Sequence, residues 1–213
     1  GTPCQLKPNG MSEETVSLST HWDHAFRRHQ KNSAGSKRLG YASGTPTHEG
    51  DFGTVRGSVA DVLSRNPNWQ FTIVGALEAQ SLEETLTEEA RKRIEFRPLV
   101  EHPNLAYELA RFTLNLAPLE RGNPFCEAKS PLKWFEAAAC GTPTAASATS
   151  TFAEAIIAKE KGYLCDSNND WVQTLSKIAL QSENVITISQ RSVSSLREDI
   201  LVRDFLLPVL QST

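Results

Sequence analysis

The sequence predicts an α/β protein, a doubly wound parallel sheet of about six strands between helices, in three layers. Three observations carry this. Short β-prone apolar runs alternate with segments of helical periodicity about six times along the chain. The connections are short, roughly 2–8 residues, as βα units require. Apolar residues make up 39% and charged residues 22% of the 213 residues, a composition that builds a core and argues against disorder.

The elements follow in order. Residues 1–36 read as a poorly ordered or peripheral lead-in and interdomain linker segment, and residues 37–213 as the folded domain. The lead-in holds Pro8-Asn9-Gly10, a polar stretch with His21, His24 and His29, and the linker-like run 31–36. A strand is expected at 38–43, followed by the turn-rich loop 44–51. Phe52, Val55, Val59, Val62 and Leu63 recur at helical spacing until Asn66-Pro67-Asn68 stops them. Strand 70–74 closes at Gly75, and a charged helix opens near Ser81, a suitable N-cap. Strand 94–97 ends at Pro98, helix 104–110 follows, and strand 112–116 stops before Pro118. Helix 132–139 begins near Pro131, which suits a first turn, and ends at Gly141. Strand 142–147, helix 152–158, strand 162–165 and amphipathic helices at 170–180 and 188–207 complete the pattern. Trp22, Trp69 and Trp171 read as packing residues.

Several function classes are disfavoured by composition. Lys plus Arg is 22 against 25 Asp plus Glu, so the net charge of −3 gives no general attraction to nucleic acid. The basic cluster Arg91-Lys92-Arg93 with Arg97 reads as a solvated face. No apolar run approaches 18 residues, so no integral membrane segment is expected, and the start does not resemble a signal peptide. Cys4, Cys126, Cys140 and Cys165 are scattered, without disulfide or zinc spacing, which fits reduced thiols in the cytoplasm. The chain starts at Gly1 and its one methionine is Met11, so it reads as a piece of a longer protein.

In a doubly wound sheet, ligands meet the loops at the carboxyl ends of the strands. Two such loops carry chemistry. The first, Ser43-Gly44-Thr45-Pro46-Thr47-His48, offers hydroxyls, backbone N–H groups and an imidazole ahead of a helix, suited to a phosphate. It is neither a dinucleotide glycine motif nor a Walker loop. The second runs from Pro118 to Glu136 and enters a helix near Ser130. N–H groups at 129–132 suit a diphosphate, and Lys129 and Lys133 add positive charge. Glu136 lies in the apolar run Trp134-Phe135-Glu136-Ala137-Ala138-Ala139, and its two oxygens match the vicinal hydroxyls of a ribose. Glu127 stands just before the helix, within reach of sugar hydroxyls.

The block from Phe135 to Ser147, FEAAACGTPTAAS, resembles the EAMAxGxPVVAS signature of retaining glycosyltransferases of the GT-B fold, family four or group 1. Ser43 to His48 with Asp51-Phe52, and Glu127-Ala128-Lys129-Ser130, resemble a bacterial branch of that group, and Pro8-Asn9-Gly10 resembles its segment after the interdomain linker. The resemblance covers roughly residues 8–180, with 127–147 its specific part. It implies the C-terminal, Rossmann-like half of a two-domain enzyme, with the acceptor-binding half absent. It implies transfer of a sugar from a nucleotide diphosphate sugar with retention, of hexosyltransferase type. Glu127 and Lys129 are the implied catalytic residues. Ser43, Gly44, Thr45, Thr47, His48, Ser130, Leu132 and Lys133 are the implied phosphate-side contacts. Glu136 would hold the ribose, and Pro98, Leu99 and Val100 the base.

Two departures accompany the resemblance. The family's paired glutamates are separated by seven residues; here Glu127 and Glu136 are separated by eight, and Ala128 holds the strict position. The family's usual Arg and Lys in the first loop and helix are replaced by Thr45, Thr47 and His48, which leaves the charge to Lys129 or Lys133. No cofactor or metal is implied, and no Asp-x-Asp occurs. The expected partners are the donor and, through the absent half, an acceptor glycan, lipid or protein, with no nucleic acid. The expected location is the cytoplasm, free or peripheral to a membrane in the longer protein. Alone, the chain should bind donor and transfer poorly or not at all. The alternative reading is a non-catalytic nucleotide-binding α/β interaction module.

Overall fold

A computed structural model of the chain describes residues 11, 13–30, 37–45, 48–77, 80–156 and 162–180. The elements, in chain order, are α1 (Glu13–Gln30), β1 (Lys37–Ser43), α2 (Glu49–Gly53), α3 (Arg56–Arg65) and β2 (Trp69–Gly75). Then come α4 (Gln80–Glu83), α5 (Glu88–Arg91), β3 (Ile94–Arg97), α6 (His102–Ala110) and β4 (Leu114–Ala117). The remainder are α7 (Pro124–Glu127), α8 (Leu132–Ala139), β5 (Thr144–Ser147), α9 (Ser150–Ile156), β6 (Tyr163–Cys165) and α10 (Asn168–Leu180).

The six strands form one sheet in the order β3-β2-β1-β4-β5-β6, and every pairing is parallel. The chain builds outward from β1 to β3, then returns to lay β4 on the other side of β1. The order therefore reverses between β1 and β4, where the loops leaving the two strands diverge and open a crevice. The central strands are buried on both faces: β4 is buried at all four positions, and β2 at five of seven, Thr72 included, although its sequence alternates apolar and polar from Trp69 to Ile73. On one side Tyr41, Phe52 and Phe71 pack ring against ring at 5.3 and 5.7 Å, under α3 and α10. On the other, Ala137, Ala138 and Ala139 of α8 are buried close to the small residues of β5. Gly141 ends α8 at a φ of 67°, where glycine carries no Cβ penalty, and Thr142 N–H closes back on Ala137 O at 2.9 Å.

Several expectations change. Part of the lead-in is a packed helix: α1 has 18 residues and lies on α6 and α8, with Trp22 edge-on to Tyr107 at 5.0 Å. Its buried side carries Ser19 and Asp23 beside Trp22, so polar residues interrupt the stripe that would have announced it. The helix expected from Phe52 to Leu63 is two, α2 and α3, broken at Thr54, whose hydroxyl donates to Asp51 O at 2.8 Å. The charged helix near Ser81 is also two short pieces; Ser81 lies inside α4, and the side-chain N-cap belongs to Thr87, which accepts from Ala90 N–H. The one-turn helix α7 was not anticipated; Asn123 caps it and Pro124 fills its first position. Pro8-Asn9-Gly10, the run 31–36 and the expected helix 188–207 lie outside the described residues.

Candidate functional site

A cavity of about 210 Å³ lies at the reversal point of the sheet. One wall comes from the segment after β1 (His48, Asp51), another from the segment after β4 (Ala117, Pro118, Leu119). The entry to α8 supplies Lys129, Ser130, Leu132 and Lys133, and Phe152 of α9 closes the far side. Residues far apart in sequence meet here because β1 and β4 are neighbours.

Asp51 is the hub of this wall. Its Oδ2 takes the Lys129 ammonium at 2.8 Å, while Oδ1 accepts from the Glu120 backbone N–H at 3.1 Å and from the Cys126 thiol at 3.3 Å. Burial pushes the Asp51 carboxyl up. The three donors outweigh that and hold it below its ordinary 3.8. Lys129 loses by burial but gains more from Asp51, so its pKa rises above 10.5. Burial, reinforced by Asp51, lifts the Cys126 thiol above 9.0. Three segments are thereby pinned together by one carboxylate.

Lys133 has a different environment. Its ammonium nitrogen is buried and has no hydrogen-bond partner among the described residues. It lies 4.1 Å from the centroid of the Tyr41 ring, whose π face is its nearest compensation. Burial first, and Lys129 after it, lower its pKa to about 8, against the pull of Asp51 and Glu136. His48, beside it, is held below 6.5 by burial, then by Lys133 and Lys129. Ser43 Oγ lies 3.3 Å from His48 Nδ1 and donates to Thr45 O at 3.0 Å, which fixes the imidazole against the strand end. Tyr41, buried, is pushed well up.

Of the residues singled out in the sequence, His48, Lys129, Ser130, Leu132 and Lys133 line the cavity. Ser43 and Thr45 stand behind His48 rather than in the wall, and Gly44 is exposed at the loop. Thr47 lies outside the described residues. The Lys129 N–H is not open to a ligand: it donates to Cys126 O at 3.2 Å. The Leu132 and Lys133 N–H groups occupy the first turn of α8, where a helix has no acceptor of its own. Glu136 is half-buried one turn on, with Oε1 3.3 Å from His102 Nε2; burial raises its pKa and His102 opposes the rise. Glu127 accepts from Arg121 at 3.0 Å and from the Gly122 N–H at 3.3 Å, and Arg121 reaches on to Asp166 at 3.0 Å. Pro98, Leu99 and Val100 form the loop after β3, with Leu99 63% exposed. Glu127, Glu136 and the 98–100 loop are not among the residues that line the cavity itself, although Glu136 is close enough to act on the charge of Lys133.

Asp51, Cys126 and Phe152 were not given roles from sequence. Asp51 had a signal: it stands four residues before Val55, on the stripe that α2 and α3 bury, and a carboxylate on a buried stripe needs a partner. Trp134 is buried, with its ring 5.2 Å from that of Phe135. The basic cluster is committed locally. Arg93 donates to Leu63, Asn66 and Trp69 carbonyls, Arg97 pairs with Glu108 at 2.7 Å, and Lys92 meets Glu89. Among the described residues, no group of three or more His, Cys, Asp or Glu is placed to hold a metal ion, and no helix is long and apolar enough to cross a membrane.

Comparison with known proteins agrees with this geometry. Residues 48–181 match the family model for glycosyl transferases group 1. No curated protein sequence matches the chain. Among solved structures, WaaG, a glycosyltransferase involved in lipopolysaccharide biosynthesis, is similar with a TM-score of 0.71 at 15% identity, over 93% of this chain and 53% of WaaG. HepE from Anabaena, solved in complex with UDP and glucose, has a TM-score of 0.66 at 16% identity, over 96% of this chain and 55% of its own. The C-terminal domain of LpcC, a group 1 family glycosyl transferase from Francisella tularensis, has a TM-score of 0.58 at 17% identity, over 80% and 89%. The chain thus spans about half the length of WaaG and HepE and most of an isolated C-terminal domain. The sheet order, the cavity at its reversal and a family match over more than half the sequence lead to one assignment: this chain belongs to the group 1 glycosyltransferases of the GT-B fold.

Proposed function

We propose that the chain is the donor-binding half of a retaining, metal-independent hexosyltransferase that uses a nucleotide diphosphate sugar. The observation that carries this is the cavity at the β1/β4 reversal, lined by two lysines and a neutral imidazole ahead of the first turn of α8. Such a wall is built for a multiply charged oxyanion. UDP in the HepE complexes supports a uridine donor as the first to try.

In this reading the diphosphate lies against the α8 entry and the lysines. The ribose meets Glu136, the base meets residues 98–100, and the sugar meets Glu127. The donor C1–O bond breaks and its electron pair leaves with the diphosphate, so positive charge fixed beside the leaving oxygens lowers the barrier. Of the two lysines in the wall, Lys129 is held by Asp51, and Lys133 stands in the first turn of α8 where that charge is needed. Arg121 holds Glu127 in one orientation. The acceptor, a glycan, lipid or protein, would be oriented by a partner domain, so this half alone binds donor and transfers poorly. The cytoplasm, free or at a membrane surface, is the setting proposed for the whole protein.

Calorimetric titration with UDP, GDP and their hexose conjugates tests the reading. One nucleotide diphosphate is expected to bind, and Glu136→Ala to weaken it about tenfold or more, the worth of a lost charge-assisted bond pair to a diol. Absence of binding by every nucleotide would sink it.

A further inference from the structure

Two lysines line the same cavity, and the structure treats them oppositely. Lys129 is already neutralised by Asp51 at 2.8 Å, and its ammonium also sits 5.1 Å from the Phe125 ring. Lys133 has a buried nitrogen with no hydrogen-bond partner among the described residues, 4.1 Å from the centroid of the Tyr41 ring. A protein leaves a buried cation without a partner at a cost, and such a group is retained where something else completes it. Lys133 stands in the first turn of the eight-residue helix α8, whose open N–H groups favour an anion on their own account.

We infer that Lys133, rather than Lys129, is the cation that answers the diphosphate, and that diphosphate binding is coupled to proton uptake at Lys133. This rests on the donor-binding reading above. The groups that face Lys133 from the packed elements are Tyr41 on β1, His48 before α2, Asp51 on α2, Lys129 before α8 and Glu136 on α8 itself. His48 lies below 6.5, Lys129 above 10.5, Tyr41 well above 10 and Cys126 above 9.0. Asp51 lies below 3.8, and Glu136 is lifted from 4.5 by burial. Lys133, at about 8, is the basic group that changes charge across mildly alkaline pH. A dianionic neighbour in a poorly solvated site favours its ammonium form, so the site binds anion and proton together. Lys129 then serves as a fixed part of the scaffold, and Lys133 as the adjustable one.

The experiment is calorimetry of the whole chain with inorganic pyrophosphate, UDP and GDP, at pH 7 to 9, in two buffers of unlike ionisation enthalpy. Proton uptake of about one half is expected at pH 8, rising to about 0.9 at pH 9, with affinity falling roughly fivefold between them. Lys133→Met is expected to bind pyrophosphate and nucleotide at least tenfold more weakly at pH 7 and to lose the uptake. Its melting temperature should hold or rise, because a buried unpartnered charge has gone, which separates lost binding from lost folding. Lys133→Arg, permanently charged, is expected to restore binding at pH 9 without proton uptake. Unchanged affinity and pH dependence in Lys133→Met would overturn the inference while leaving nucleotide binding intact. Pyrophosphate binding that depends on Lys133, without binding of any nucleotide, would support it and remove the donor reading. Failure of the wild-type chain to bind pyrophosphate or nucleotide would overturn both.

Discussion

At the scale of single residues, Asp51 and Lys133 divide the work of one cavity wall. Asp51 holds Lys129, Cys126 and the 119–120 backbone through one carboxylate, with 4% of the residue exposed. Replacing it by Asn keeps the shape and removes the charge, leaving Lys129 and its partly buried ammonium unpaired. Asp51→Asn is expected to cost about 3 kcal/mol at pH 7, at the low end for a broken buried pair because Lys129 keeps some solvent. The sign with pH follows from a carboxyl held below its unfolded value. Its stabilisation is fully present above 3.8 and fades as pH falls through the lower folded value. Urea midpoints for the two proteins should therefore converge in strong acid; a difference that persists there would refute the charge-based account.

Among the elements, the strand ends that aim the loops depend on close backbone approach. Gly75 ends β2 at a φ of 107°, and a Cβ there would stand 1.9 Å from Ser43 O, the oxygen that already accepts from Ala76 N–H. Neither the angle nor the clash can be relieved without parting β1 from β2. Gly75→Ala is expected to destabilise by about 3 kcal/mol or more, and to disturb Ser43 and with it His48. Thermal melts with histidine ring resonances by NMR check both parts. The broken pair α2 and α3 has a similar logic. The turn at Thr54 and Val55 lets Asp51 face the cavity while Val59, Val62 and Leu63 bury in the core.

In the whole molecule, the sheet is the frame and α1 is part of its covering. Trp22 on Tyr107, with Met11, Ser19 and Asp23 buried, makes α1 structural. Trp22→Ala is expected to lower stability by about 2 kcal/mol, less than for a fully enclosed tryptophan, read as a shifted urea midpoint. No shift would mean that α1 contributes nothing to the domain. On the same scale, Arg38, Glu95, Arg97, Glu108 and Arg111 form one ion network linking β1, β3 and the α6 region. The basic cluster in the sequence is thus partly a fastening, which net charge alone could not reveal.

The sequence by itself determined the α/β class, the alternation and the position of most strands, because short apolar runs bounded by glycine and proline have few other uses. It also placed His48 and Lys129 on loops that follow strands and Lys133 at the start of the next helix, and the block 135–147 carried the family resemblance that the match over 48–181 supports. Contacts decided by long-range pairing were not legible there. Laying β4 beside β1 brings Asp51 to Lys129, 78 positions apart, and Asp51 to Cys126, 75 apart. Local periodicity carries no information about such meetings. The sequence offered two equivalent lysines; the tertiary structure paired one with Asp51 and left the other buried against Tyr41, because only the folded chain decides which charge keeps a partner and which loses its water.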